Sequence, residues 1–523
     1  MNTRCLAWIV LLLALPDARG AAAVELNKPV RIEAGLVAGT SNQASTVVAF
    51  KGIPYAAPPA GALRWREPQP APPWEGVRQA TRFGASCVQP PSPSGRQPAE
   101  MSEDCLFLNV WAPTSSAPEK LAVLFFIHGG AGLFGSGNLN GEALAQKGIL
   151  VVTLNYRLGI FAGMGHPELS AESPHRACGH YGMLDIIAAL SWVRNNIGAF
   201  GGDPDRVTLA GHSSGASAVH YLTTSPVAKG LFSRAICVSF PYDYLLKPHS
   251  VPLVRQKEEN GAAFAKVKNA RSLADLREIP ALELIAADPA VAQAKLIHLA
   301  SGVARDGWAF PSTYPEALDK GLASDVPTLT GLTADDFGPP AAATKTTVAT
   351  FAESLPAQFG ERRERFLAQS EAFLSLCSPT TDQEARELAK RVQCEYRMST
   401  VFHWAKRRAK TCQAPAYTYF FDHAAAAERG SYHGSDLAFW FNDLDSADRH
   451  WSEADRRVAE QASSYWVNFV RTGNPNGENL QEWEPFSADR ATTLSLGDTS
   501  FARPIAAKER LAFYCDLLEN GSK

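Results

Sequence analysis

The ten residues RVTLAGHSSG at positions 206–215 decide the fold of this chain. Their first half is rich in β-branched and apolar residues, which predicts a strand, and the Ala-rich run after them predicts a helix over 216–223. The turn between the two has the pattern G-x-S-x-G, in which the glycines permit a strained strand-to-helix turn. The pattern therefore predicts that Ser213 is a nucleophile exposed at the end of a strand, with an ordinary glycine–serine turn as the alternative.

A second glycine-rich segment, HGGAG at 128–132, directly follows the apolar run LAVLFFI at 121–127. Backbone N–H groups in such a loop can approach a developing oxyanion without obstruction by side chains. We predict Gly130, Ala131 and Ser214, the residue after the nucleophile, as the donors of an oxyanion hole. A flexible loop is the alternative. Phosphate binding is disfavoured because no Gly-Lys-Ser/Thr sequence follows.

Further short runs of apolar and β-branched residues surround these two segments and alternate with helical patterns such as 183–197. This alternation is typical of an α/β fold with a large, mostly parallel central sheet flanked by helices. The shorter, Pro-rich segments before residue 105 indicate an antiparallel edge. Helical insertions over 250–320 and 340–410 are expected to cap the sheet and form a cleft. The predicted strands are 106–111, 121–127, 149–155, 206–211, 234–239, 326–331 and 416–421.

Composition and the N-terminus narrow the class of protein. The chain has 523 residues, a formal net charge of −3 and a pI of about 6.5, which does not favour a nucleic-acid or anionic-membrane partner. Arg4 precedes an apolar run at 6–15 that is too short to span a bilayer, and small residues follow it. We predict a secretory signal peptide over 1–23, a single domain over 24–523, and a secreted or periplasmic protein without a membrane span.

Four more motifs occur in order along the chain: FKGIPYA at 50–56, SEDCL at 102–106, NYRLG at 155–159 and FGGDP at 200–204. With these motifs the chain resembles the type-B carboxylesterases, a family that includes cholinesterases and para-nitrobenzyl esterases. The resemblance runs from about residue 30 to the C-terminal helix. It implies an α/β-hydrolase fold, and hydrolysis of small-molecule carboxylic esters through an acyl-enzyme without metal or organic cofactor.

The resemblance also implies where the acid and base lie. The family acid follows a P-x-x-x-G segment, here PTLTG at 327–331, and falls on Asp336 where relatives have Glu; neighbouring Asp335 is the alternative. The family base lies in HGSDL at 433–437 and is His433. The chain order of nucleophile, acid and base is that of α/β-hydrolases.

Several positions depart from the family pattern near this site, and four of them follow. His212 replaces a Glu or Gln, Ser214 an Ala, Gly132 an aromatic residue and Phe240 a Gly. We expect Gly132, His212 and Phe240 to line a substrate pocket that differs from those of the common family members. Specialisation for a polycarboxylate or aromatic ester, an amide or a carbamate stays open, because the same triad serves all of them. A non-catalytic adhesion or binding ectodomain is the alternative from another class, and the retained triad disfavours it.

The chain has nine cysteines, of which Cys5 falls in the predicted signal peptide. The resemblance implies a disulfide between Cys87 and Cys105. The loop that this bond would close contains no aromatic residue, which argues against recognition of a choline cation. No cysteine pair has zinc-ligand spacing, and the sequence does not fix the remaining connectivity. A bond from Cys394 or Cys412 to Cys515 is one option. Other cysteines left open are Cys178 and Cys237, expected to be free and buried, and Cys377.

Overall fold

A central sheet of 11 strands organises the protein, as seen in a computed structural model. The structure describes residues 25, 28–93, 95, 97–114, 119–240, 242–246, 251–289, 302–336, 345–424, 430–445 and 450–519. The predicted signal peptide at 1–23 lies outside these residues.

Within the described residues the strands are β1 (Val30–Ile32), β2 (Gly35–Ala38), β3 (Thr40–Ser41), β4 (Val47–Pro54), β5 (Val77–Gln79), β6 (Ser86–Cys87), β7 (Met101–Ser102), β8 (Phe107–Pro113), β9 (Leu121–Ile127), β10 (Leu150–Leu154), β11 (Gly202–His212), β12 (Arg234–Val238), β13 (Thr328–Thr333), β14 (Ala416–Phe421), β15 (Thr492–Leu496) and β16 (Phe501–Pro504). The strand order across the central sheet is β16-β15-β14-β13-β12-β11-β9-β10-β8-β4-β3. Neighbours from β15 to β10 pair in parallel, whereas β16 at one edge and β8, β4 and β3 at the other pair antiparallel. Both the mostly parallel sheet and the antiparallel edge before residue 105 were predicted and are confirmed. A small second sheet has the order β1-β2-β5.

Helices cover both faces of the central sheet. Their described members are α1 (Glu142–Gln146), α2 (Gly159–Gly163), α3 (Pro167–Glu172), α4 (Tyr181–Asn196), α5 (Ser214–Thr223), α6 (Tyr242–Leu245), α7 (Val254–Val267), α8 (Leu273–Glu278), α9 (Ala281–Ile285), α10 (Tyr314–Asp319), α11 (Phe351–Ser354), α12 (Arg363–Ala368), α13 (Ser370–Leu374), α14 (Asp382–Arg408), α15 (Leu437–Trp440), α16 (Glu453–Thr472) and α17 (Lys508–Glu519).

Strand β9 shows why its sequence is apolar throughout. Phe125 and Ile127 pack in the core on the face covered by α4 and α5, while Leu124 and Phe126 pack on the opposite face against α16. Successive side chains of a strand point to opposite faces, so a strand covered on both sides buries every residue. A fully buried side chain of this kind contributes about 2 kcal/mol. Consequently the central strands are held in place from both faces.

The insertions form two smaller apolar clusters beside the main core. One joins α2, α7 and α8, and the other joins α11 to α14 with α17. The described parts of 250–320 and 340–410 are largely helical, as predicted. The longest of these helices, α14, begins after Thr381, whose side chain accepts from the N–H of Glu384 while the Glu384 side chain returns to Thr381. This reciprocal capping stabilises its first turn.

The cysteines follow the sequence expectations in part. Cys87 and Cys105 form a disulfide. Cys178 and Cys237 are free and buried, as expected. The optional bond from Cys394 or Cys412 to Cys515, which the sequence left open, does not form, because all three are free thiols. The Sγ of Cys394 instead donates to the carbonyl of Ala334 at 3.0 Å, and this contact directs the thiol toward the end of β13.

Within the described part of the chain, no helix is both long and apolar enough to cross a membrane.

Lys257, on α7, carries a buried amine that makes stability depend on pH. Its side chain is fully buried, and its Nζ donates to the carbonyl of Gly163 at 3.0 Å. Burial lowers the pKa of Lys257 from 10.5 to about 7, because the charged amine loses its hydration. At a pH between these two pKa values, the unfolded chain therefore binds one more proton than the folded chain. The contribution of Lys257 to stability rises with pH across that window.

We expect Lys257→Met to raise the free energy of unfolding more at about pH 7.5 than at about pH 9.5. The difference should be roughly 2–3 kcal/mol, since one pKa unit corresponds to about 1.4 kcal/mol. Urea unfolding at the two pH values measures it. Lys266→Met, the same change at an exposed position of α7, serves as the control and should show no such difference. If Lys257→Met changed the free energy of unfolding by the same amount at both pH values, the lowered pKa of Lys257 would be contradicted.

Candidate active site

Ser213 lies in the turn between β11 and α5. Its φ of 56° and ψ of −121° place it in a strained conformation that non-glycine residues rarely adopt. The turn is tight: a Cβ at Gly211 would come within 2.4 Å of the backbone of Gly215, and a Cβ at Gly215 within 2.3 Å of the carbonyl oxygen of Ile127. The N–H of Ser213 donates to the carbonyl of Val238 at 2.8 Å. These contacts explain both glycines of the motif and hold the hydroxyl at the carboxyl end of the sheet.

The structure brings the three predicted triad residues together. The Nε2 of His433 is 2.9 Å from the Oγ of Ser213, and its Nδ1 is 2.5 Å from the Oδ1 of Asp336. Asp336 follows β13 and is completely buried, whereas the His433 side chain is 26% exposed. The hydroxyl, imidazole and carboxylate thus form one hydrogen-bonded line.

The environment of Asp336 keeps its carboxylate ionised. Burial alone would raise its pKa, but the hydrogen bond and positive charge of His433 and the N–H of Thr333, at 3.2 Å, bring the pKa below its ordinary value. A buried anion next to Nδ1 favours the tautomer that carries its proton on Nδ1. The unprotonated Nε2 then faces the Ser213 hydroxyl and can accept its proton.

The alternative acid, Asp335, has different partners. Its Oδ1 is 2.7 Å from the Nζ of Lys390, and its Oδ2 accepts from the N–H of Ser431 at 2.9 Å. Its own N–H donates to the carbonyl of Ser431 at 2.8 Å. Asp335 therefore anchors the segment that leads to His433, and it is Asp336 that contacts the imidazole.

The loop that carries two of the predicted oxyanion donors lies against the nucleophile turn, since a Cβ at Gly129 would come within 2.9 Å of the Cβ of Ser213. Gly130, Ala131 and Gly132 have φ values of 115°, 56° and 70°, so the loop winds in the left-handed sense. A Cβ at Gly130 would come within 1.8 Å of the carbonyl oxygen of Phe134, which accounts for glycine at that position. Ala131 is exposed. Ser214 begins α5, where the unpaired N–H groups of a helix N-terminus favour negative charge.

The expected pocket residues differ in accessibility. His212 and Phe240 are 8% and 7% exposed, so a substrate would meet little of either, while Gly132 is half-buried. The ring of His212 is centred 4.7 Å from that of His433. Burial, followed by the charge of His433, lowers the pKa of His212 to about 3. His212 is therefore neutral beside the triad.

Sequence reasoning missed two supports of this site. Tyr156 stacks on His128 at 4.5 Å between ring centroids, and its hydroxyl donates to the His128 carbonyl at 2.9 Å. Lys390, on α14, holds Asp335. Tyr156 belongs to the NYRLG motif, which identified the family but did not indicate the contact of Tyr156 with His128. Nothing in the local sequence distinguishes Lys390 from other lysines of a solvated helix face.

No group of three or more His, Cys, Asp or Glu side chains in the described ranges is arranged to hold a metal ion.

A serine hydroxyl, an imidazole and a buried carboxylate, placed in this chain order at the carboxyl ends of parallel strands, define the serine hydrolases of the α/β-hydrolase fold. The model of the carboxylesterase family matches residues 27–514. The chain belongs to this family and is a carboxylic ester hydrolase.

Similar proteins include the fumonisin B1 esterase of Sphingopyxis macrogoltabida, 32% identical over 89% of this chain and 85% of that protein. The para-nitrobenzyl esterase of Bacillus subtilis is 33% identical over 89% of this chain and 94% of that protein. Among solved structures, a para-nitrobenzyl esterase superposes with a TM-score of 0.74 at 29% identity, covering 92% of this chain and 98% of the other. The resemblance and the fold class inferred from the sequence are thereby confirmed.

Proposed function

We propose that Ser213, His433 and Asp336 carry the ester hydrolysis, as nucleophile, general base and orienting acid. The observation that carries this assignment is the continuous line of contacts, 2.9 Å from Ser213 to His433 and 2.5 Å from His433 to Asp336. A base must lie within hydrogen-bonding reach of the proton that it removes, and the first distance meets this condition.

The reaction then proceeds in two steps. The Ser213 Oγ attacks the ester carbonyl as His433 takes its proton, and His433 returns that proton to the leaving alcohol. A water molecule, deprotonated by His433, attacks the acyl-enzyme and releases the carboxylic acid and free Ser213. Asp336 stays ionised throughout and stabilises the imidazolium.

The backbone N–H groups of Gly130, Ala131 and Ser214 act as the oxyanion hole in this proposal. The contact of the Gly132 N–H with the Ser214 Oγ at 3.1 Å supports it, because this contact holds the loop against the start of α5. Preorganised donors stabilise the tetrahedral intermediate without reorganising during the reaction. Gly132, half-buried beside them, leaves room for an acyl group where a larger side chain would stand. His212 lies beside His433, with 4.7 Å between the ring centroids, and in this proposal it acts on the site through that contact. Phe240 is buried, and its proposed place at the pocket rests on its position after β12.

We propose export of the protein as well, with residues 1–23 as a signal peptide and 24–523 as one catalytic domain. The charged, apolar and small-residue segments of the N-terminus support this proposal. The disulfide between Cys87 and Cys105 supports it further, because such bonds persist in oxidising compartments.

Hydrolysis of para-nitrophenyl esters of increasing acyl length tests the proposed function, with the matched para-nitroanilides as the comparison. We expect turnover of the esters with kcat/KM at least about 100-fold above that of the anilides, because para-nitrophenoxide leaves the tetrahedral intermediate more readily than para-nitroaniline does. The acyl length with the highest kcat/KM reports the size of the pocket beside Gly132. Preference for the anilides, or no turnover of any ester, would contradict the proposal.

A further inference from the structure

The side chain of Ser214 joins the helix behind the nucleophile to the oxyanion loop. Its Oγ accepts a hydrogen bond from the N–H of Gly132 at 3.1 Å. Gly132 directly follows Gly130 and Ala131, so this bond fixes the loop one residue beyond the two proposed donors. Ser214 thus offers its backbone N–H to the oxyanion and its hydroxyl to the loop.

Two side chains hold the two ends of the same loop. The Tyr156 hydroxyl donates to the carbonyl of His128 at 2.9 Å, and the Ser214 hydroxyl accepts from the N–H of Gly132. His128 and Gly132 are the first and last residues of the HGGAG segment. Each end of the oxyanion loop therefore has a side-chain partner.

This loop needs such a restraint. Ala131 holds a φ of 56°, a left-handed conformation that is unfavourable for an L-residue. Gly132 has no side chain that could pack the loop in place. Its carbonyl accepts from the N–H of Gly159 at 2.7 Å, and its N–H is fixed by Ser214. Without the hydroxyl, the N–H side of Gly132 would lose this partner, and the neighbouring donors would be less well ordered.

We propose that the Ser214 hydroxyl is a positioning group that holds the Gly130 and Ala131 donors in place through the N–H of Gly132. This inference rests on the proposed function, because it assumes that those donors bind the oxyanion. It concerns the order of the hole in the transition state, so it affects kcat more than substrate binding.

The test compares Ser214→Ala and Ser214→Thr with the wild type in para-nitrophenyl ester hydrolysis. Deleting an oxyanion donor costs about 10²–10³ in kcat, and displacing donors that remain present should cost less, about 10- to 100-fold. We expect this loss for Ser214→Ala, with KM changed by less than about twofold. Ser214→Thr keeps the hydroxyl and should retain kcat within about threefold.

A trifluoromethyl ketone supplies an independent measurement, because its adduct with the serine places an oxyanion in the same hole. Its inhibition constant should rise in Ser214→Ala by about the factor by which kcat/KM falls. The inference would be overturned if Ser214→Ala kept kcat within about twofold of wild type, or if only its KM rose. Equal loss of kcat in Ser214→Ala and Ser214→Thr would overturn it as well. Activity retained by Ser213→Ala would instead refute the proposed function, so the two failures are distinguishable.

Discussion

Ser213→Ala is expected to lower kcat for para-nitrophenyl esters by about 10⁶-fold, the loss seen when a triad nucleophile is removed. Alanine cannot form the acyl-enzyme, and His433 then has no hydroxyl proton to accept at 2.9 Å. A small rate above that of water should remain, because the oxyanion donors still bind the substrate carbonyl. Steady-state kinetics over long incubation, with purified variant free of wild-type protein, measures the loss.

Ser233→Ala is the matched control for this variant. Ser233 immediately precedes β12 and lies at the opposite end of the strands from Ser213, where its Oγ bonds the carbonyl of Val207 at 3.3 Å. Ser233→Ala removes the same hydroxyl group from a serine far from the site, and it should leave kcat within about twofold of wild type. A loss of less than about tenfold in Ser213→Ala would exclude Ser213 as the nucleophile.

Asp336→Asn is expected to lower kcat by about 10⁴-fold while leaving KM almost unchanged. The amide that replaces the carboxylate is neutral, so the imidazolium that forms on His433 would lose its charged partner at 2.5 Å. An amide N–H directed at Nδ1 would also favour the wrong tautomer. The thermal midpoint of unfolding should be measured together with kcat. Asp336 is fully buried, so a substitution there can also destabilise the fold.

The adjacent Asp335→Asn variant is its matched control, because it removes the same charge one residue away. The amide oxygen can still accept from the N–H of Ser431, although the ion pair with Lys390 is lost. We expect kcat within about tenfold of wild type. If Asp335→Asn proved the more damaging of the two variants, the assignment of Asp336 as the orienting acid would be wrong.

The fold was largely predictable because its signals are local. Strand β9 is a continuous apolar run of the length that a strand covered on both faces requires, and the turn at Gly211 and Gly215 has the glycines that its geometry demands. The seven predicted strands all occur, with ends shifted by a few residues. The antiparallel edge and the helical insertions also occur where the Pro-rich and periodic patterns indicate them.

The rest depends on contacts between distant segments. The family pattern selects Asp336 and leaves the adjacent Asp335 as an alternative; the packing separates them by directing Asp335 to Lys390 and Asp336 to His433. The sequence left a second disulfide open, because a cysteine count does not report which way a thiol points, and the structure shows Cys394, Cys412 and Cys515 as free thiols. The hydrogen bond between Ser214 and Gly132 joins residues 82 positions apart. The sequence therefore showed that Ser214 replaces the family's Ala, but not that its hydroxyl contacts the oxyanion loop.

The most direct test of the central assignment is covalent labelling with a fluorophosphonate ester, followed by intact-mass measurement and peptide mapping. The reagent reacts with an activated serine and stops at a stable phosphonyl adduct. The proposed mechanism predicts a single adduct, located on Ser213, and none in Ser213→Ala. An adduct on another serine, or equal labelling of Ser213→Ala, would contradict it.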